Sequence, residues 1–101
     1  PTGIRAVIDE NWVLKIYSRS SLGFKYRLWL DNLTGIIDSD YSNSDNEGHI
    51  FIKVTNNSLE DKIVRINRGD KFAQGIFVQY GTVIDDDVVE ERNGGFGSTN
   101  K

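Results

Sequence analysis

Apolar and polar residues alternate along most of this chain with a period of two, the spacing of a half-buried β-strand and not of an amphipathic helix. Ile4, Ala6 and Ile8 fall on one face of a first predicted strand, and Trp12, Leu14 and Ile16 on one face of a second. Asp9-Glu10-Asn11 supplies the turn between them. Ile50, Ile52 and Val54 alternate against Phe51, Lys53 and Thr55 in a third strand. Two more are expected at Lys62 to Ile66 and Phe72 to Tyr80, joined as a hairpin by Asn67-Arg68-Gly69-Asp70, whose glycine can take a positive φ. Tyr26 to Leu30 is a shorter aromatic-rich strand, and Trp12 and Trp29 are expected to pack on their strands. The one helical element expected is a single turn at Ser20 to Lys25. Short strands punctuated by Gly, Asn and Asp predict an all-β fold, a jelly roll or sandwich.

Composition narrows the partners. The chain has 101 residues, enough for one small domain with a thin core. A formal charge of −3 gives no field that would draw a nucleic acid polymer or an anionic membrane. Without cysteine there is neither a disulfide framework nor a thiolate site, which agrees with a cytoplasmic location. No apolar run approaches the ~20 residues of a membrane span. His49, a single histidine without cysteine or clustered carboxylates, does not read as a metal ligand. The run Asp85-Asp86-Asp87 reads as a solvated bend.

Four segments carry chemistry. In Gly35-Ile36-Ile37-Asp38-Ser39-Asp40-Tyr41 an acid follows an apolar stretch, which places its carboxylate at the lip of a strand; an isolated Asp of this kind is either a general base or a turn residue. Tyr41 reads as a rim aromatic or a substrate contact. Arg19-Ser20-Ser21-Leu22-Gly23 combines a cation, two hydroxyls and backbone N–H groups, a weak signal for an anion site. Gln74, in Gly69-Asp70-Lys71-Phe72-Ala73-Gln74, is either a ligand contact or a satisfied polar group in an interface. The tail Arg92-Asn93-Gly94-Gly95-Phe96-Gly97-Ser98-Thr99 has one large apolar residue and, taken alone, is a flexible terminus.

In order and approximate spacing these four segments resemble signatures of the trimeric dUTPases, which hydrolyse dUTP to dUMP and pyrophosphate. The resemblance covers nearly the whole chain. It implies a jelly-roll dUTPase fold over residues 1–91 and a flexible glycine-rich arm over 92–101 that closes on the active site. It implies that Asp38 activates the attacking water and that Tyr41 lies beneath the deoxyribose, where it excludes a 2′-hydroxyl. Asn32 and the backbone of Gly35, Ile36 and Ile37 would read uracil; Arg19, Ser20, Ser21 and Gln74 would meet the phosphates. In the arm, Phe96 would stack on the base, Arg92 would meet the γ-phosphate, and Gly97 and Ser98 would wrap backbone around the phosphates. Mg²⁺ would arrive bound to the triphosphate, without a protein metal site, and three chains would share each active site.

Departures from the family pattern keep alternatives open. The Ala-Gly-x-Asp segment that precedes the others in the family has no counterpart between Pro1 and Ser18, so the chain reads as a fragment. Asn93 and Asn100 stand where glycines are usual, and Ser42 to Glu47 is longer than the usual turn, an insertion expected to have little thermodynamic consequence. A dCTP deaminase relative and a noncatalytic nucleotide- or protein-binding module are the rival readings.

Overall fold

The computed structural model of the chain describes residues 1–84. The expected arm, with Arg92, Phe96, Gly97 and Ser98, the boundary between 91 and 92, and the acidic run at 85–87 lie outside the described residues.

Trp12–Ser18 forms strand β1, and its alternation is the cause: Leu14 and Ile16 turn into the core. A helix, α1, covers Ser20–Tyr26, close to the predicted turn. It ends at Arg27, a left-handed residue whose N–H closes onto the carbonyls of Gly23 and Leu22. β2 is Leu28–Leu30, β3 Gly35–Ile37, β4 Val54–Asn56 and β5 Ala73–Gln79. Two antiparallel sheets result, one ordered β3-β1-β5 and the other β2-β4.

β1 is the centre of the larger sheet. It pairs with β5 from Trp12↔Gln79 to Ser18↔Ala73, and with β3 from Leu14↔Ile37 to Ile16↔Gly35. Ile16 therefore has a glycine beside it on both neighbouring strands, Gly35 and Gly75. A Cβ on Gly35 would lie 3.1 Å from the Ile16 Cβ, and one on Gly75 would lie 2.9 Å from Leu14 Cδ1. These two glycines leave the space that the central strand's branched side chains occupy. Ile8, Leu14, Ile16, Leu30, Tyr41 and Ile50 form the core, which joins the two sheets.

Several expected strands differ. Ile8 is buried and Ala6 packs on the core, so the predicted face of the first strand is correct, but 4–8 joins no ladder. Its beginning clasps Ile50 instead: Thr2 N–H donates to the Ile50 carbonyl, and Ile50 N–H donates to the Ile4 carbonyl. The third strand is ordered as a ladder only at its end, Val54–Asn56. Residues 62–66 keep their alternation but form no strand, and Ile63 is 73% exposed. The Asn67–Asp70 turn is present, with Asp70 N–H on the Asn67 carbonyl and Gly69 at φ 91°, but its arms do not zip into the predicted hairpin. β5 has β1 as its partner, because burying Leu14 and Ile16 requires a neighbour on each side of that strand. Trp12 and Trp29 sit on strands as expected, Trp12 at the exposed start of β1 and Trp29 at an outward position between buried Leu28 and Leu30, where the Arg27 guanidinium covers its ring at 4.9 Å.

Leu30 is 3% exposed at the junction of the sheets. Leu30→Ala is expected to cost about 2–5 kcal/mol in stability, seen as a lower urea midpoint with little change in slope.

Candidate functional site

The expected catalytic segment is built as a strand that runs into a tight turn. β3 lies at the edge of its sheet, so its ladder hydrogen bonds run to β1 on one side only. The outward N–H and C=O groups of an edge strand are a fixed row of donors and acceptors, the property needed to read the edge of a base. Asn32 lies in the exposed turn that leads into this strand; its carbonyl accepts the Thr34 N–H at 2.7 Å, and Leu33 takes a φ of 67° to make the turn.

Asp38 follows directly. It is half-buried and takes extended backbone (φ −98°, ψ 179°) as the cap of the 3₁₀ turn Ser39–Asn43. Its carbonyl accepts the Tyr41 N–H at 3.3 Å, which couples acid and tyrosine through one turn of backbone. Asp40 is a second carboxylate in this turn, and its Oδ1 is buried without a hydrogen-bond partner among the described residues.

Tyr41 is held more deeply than a rim residue. It is 6% exposed and belongs to the core, and its hydroxyl donates to the His49 carbonyl at 2.9 Å. The insertion that follows is not a solvated loop either, because Ser44, Asn46 and Gly48 bond inward around Tyr41. Nothing in the composition of Ser42–Glu47 separates these polar residues from ordinary surface ones, so only their contacts could reveal them. His49 offers its Nε2 to the Gly3 N–H at 3.0 Å and lies 4.5 Å from the Phe51 ring.

Arg19, Ser20, Ser21 and Gln74 come together at the opposite end of β1. Arg19 is the residue before α1, and its Nη1 donates to the Lys71 carbonyl. Gln74 pairs with Tyr17 and its Nε2 donates to the Ser18 carbonyl at 3.1 Å. Asp38 stands one residue beyond Ile37, hence opposite Val13, on the other side of β1 from Gln74. Four residues along and two strand spacings across separate them by roughly 16 Å. One chain thus holds its candidate base and its candidate phosphate contacts apart.

An apolar groove of about 610 Å³ lies between 2–7 and β5, lined in part by Ile4, Ala6, Leu14, Phe72 and Phe77. Gln74 lines it, but Asp38, Tyr41 and Arg19 do not. Among the described residues no group of three or more His, Asp or Glu is placed to hold a metal ion. No helix among them is long and apolar enough to cross a membrane.

An edge strand, a capping acid and a packed tyrosine in the order Gly35, Asp38, Tyr41 would be a local coincidence unless the rest of the chain agreed. It does: the sequence profile of the dUTPase family matches residues 1–100. The chain belongs to the dUTPase family. It is 45% identical to a deoxyuridine 5′-triphosphate nucleotidohydrolase of Lactococcus lactis over 103 aligned positions, which cover 98% of this chain and 67% of that protein. It is 38% identical to the enzyme of the same name from Haemophilus ducreyi, across 100% of this chain and 66% of that one. The fold is similar to the crystal structure of a dUTPase from Streptococcus mutans, with a TM-score of 0.71 and 38% identity over 82% of this chain and 64% of that one. The chain spans about two thirds of the length of the curated relatives it matches. The all-β dUTPase fold expected from the sequence is therefore the fold of this protein.

Proposed function

We propose that this dUTPase-family chain hydrolyses dUTP to dUMP and pyrophosphate. The observation that carries the reading is the run from β3 into the 3₁₀ turn, which puts Asp38 between an edge strand able to read a base and Tyr41. Asp38 takes a proton from a water whose oxygen bonds the α-phosphorus. The bond from that phosphorus to the bridging oxygen breaks, and pyrophosphate leaves with the electron pair. General-base assistance of this kind contributes roughly 10² to 10⁴ in rate.

Uracil is read by the outward backbone groups of Gly35, Ile36 and Ile37, with Asn32 at the turn; a site built to bond O4 penalises an amino group in its place. Tyr41 bounds the sugar. Arg19, Ser20, Ser21 and Gln74 contact phosphate, and the separation of this group from Asp38 within one chain supports a homotrimer in which each site draws on more than one copy. Arg92, Phe96, Gly97 and Ser98 complete the site from the arm. Mg²⁺ would be held mainly by the triphosphate oxygens and would supply charge neutralisation to the phosphates that Arg19, Ser20, Ser21 and Gln74 contact. A cytoplasmic location belongs to the same proposal and rests on a sequence free of cysteine.

The test is pyrophosphate release from the purified chain with dUTP and Mg²⁺, with dCTP, dTTP and UTP alongside. Release is expected with dUTP and at least about 100-fold less with each of the others, the discrimination typical of a site whose polar groups would be left unpaired or blocked. Nucleotide binding without release would favour the noncatalytic module, and deamination of dCTP would favour the deaminase.

A further inference from the structure

The insertion after Tyr41 folds as a chain of tight turns: Ser44 N–H returns to the Tyr41 carbonyl, Glu47 N–H to Ser44, and His49 N–H to Asn46. Asn46 is the centre of this loop. Its Oδ1 accepts the Ser44 hydroxyl at 2.7 Å and the Gly48 N–H at 3.1 Å. Its Nδ2 donates to the Tyr41 hydroxyl oxygen at 3.1 Å and to the His49 carbonyl at 3.3 Å. The Tyr41 hydroxyl spends its own proton on that same carbonyl. The phenol is thus held as donor by the backbone and as acceptor by Asn46, so both its position and its hydroxyl torsion are fixed.

A tyrosine tethered only by its own O–H can tilt about that single bond. Rejecting one extra hydroxyl on a sugar by contact needs a wall that does not give by even about 1 Å. We propose that Asn46 is the positioning residue for Tyr41, fixing the ring that meets the sugar and, through the turn that joins Tyr41 N–H to Asp38, the approach of that acid. The inference rests on the reading of Tyr41 as the sugar-facing residue. It assigns the insertion a part in telling deoxyribose from ribose, beyond that of a surface loop.

Two variants separate positioning from mere loop building. Asn46→Ala removes both ends of the carboxamide, whereas Asn46→Asp keeps the acceptor for Ser44 and Gly48 and puts an acceptor-only oxygen where the donor to the Tyr41 oxygen stood, so the phenol keeps its single donor bond but loses the bond it accepts. Both are expected to lower the ratio of kcat/KM for dUTP over UTP by about fivefold, the value of one hydrogen bond. In a Tyr41→Phe background, which lacks the acceptor, Asn46→Asp should change the ratio no further. Independently of activity, NMR line shapes of the Tyr41 ring should show about fivefold faster flipping in Asn46→Asp than in the parent. If Asn46→Asp matches the parent in ring flipping while Asn46→Ala does not, the carboxamide only builds the loop and the positioning role fails. An equal effect of Asn46→Asp with and without the Tyr41 hydroxyl overturns it as well. A parent chain that turns over no dUTP sinks the proposed activity, and the ring-flip comparison then still decides whether Asn46 positions Tyr41.

Discussion

Asp38→Asn lowers the turnover number for dUTP by about 10² to 10⁴-fold while the nucleotide still binds. Asparagine has the same shape, so the extended backbone at this position and the hydrogen bond from the Tyr41 N–H to its carbonyl are kept. What is lost is the ability to take a proton from water. Pyrophosphate release gives the rate, and calorimetric titration of dUTP into the variant gives the binding. Undiminished turnover with intact binding would show that another group orients the water, and Asp40, the neighbouring carboxylate with a buried oxygen, would be examined next.

Gly48→Ala destabilises the protein by about 3 kcal/mol, the sum of a left-handed alanine and an overpacked site. Gly48 is buried at φ 79°, and a Cβ there would lie 2.7 Å from the Ser42 Cα and 3.2 Å from both the Ser42 nitrogen and the Tyr41 carbonyl oxygen. All three are backbone atoms, so no side-chain rotation relieves the clash. Relief must come from moving the turn that holds Tyr41, and activity should therefore fall along with stability. Urea unfolding monitored by tryptophan fluorescence measures the first, and the dUTP assay on the folded fraction measures the second. A loss below about 1 kcal/mol would mean that the insertion repacks independently of Tyr41.

These outcomes bear on how the site is organised. The segment from Gly35 to His49 is one continuous unit in which an edge strand, a capping acid, a packed tyrosine and a hydrogen-bonded loop follow one another without a break. Sequence reasoning located its first half, because an apolar run followed by an acid and an aromatic is a local signal. It treated the second half as spacer, since Ser, Asn, Asp and Glu look alike in a sequence whether they face water or each other. The insertion is short, yet Ser44 within it is 6% exposed and its one hydroxyl proton is shared between the Tyr41 carbonyl and the Asn46 Oδ1, each 2.7 Å away.

Strand prediction divides in the same way. Trp12–Ser18 was legible because Leu14 and Ile16 alternate with polar positions and are buried, and Ala73–Gln79 because Ile76, Phe77 and Val78 are β-branched or aromatic, although none of its residues is buried. Gly35–Ile37 was not, as three residues carry no period. The expected strand at 62–66 has the pattern but no partner among the described residues, and the apolar side chain of Ile63 remains outside.

By itself the sequence determined the all-β class, the two long strands, the turns at Asp9–Asn11 and Asn67–Asp70, and the membership of the dUTPase family. Those features depend on residues a few positions apart, whose side-chain alternation and turn chemistry act locally. The tertiary structure alone decided that β5 joins β1 and not 62–66, that β3 is left as an edge, that Asp38 and Gln74 stand at opposite ends of β1, and that Asn46 reaches the Tyr41 hydroxyl. Each of these is a choice of partner. A backbone donor or an apolar face requires something to pair with but does not specify which segment supplies it, and burial of the central strand makes that selection for the chain as a whole.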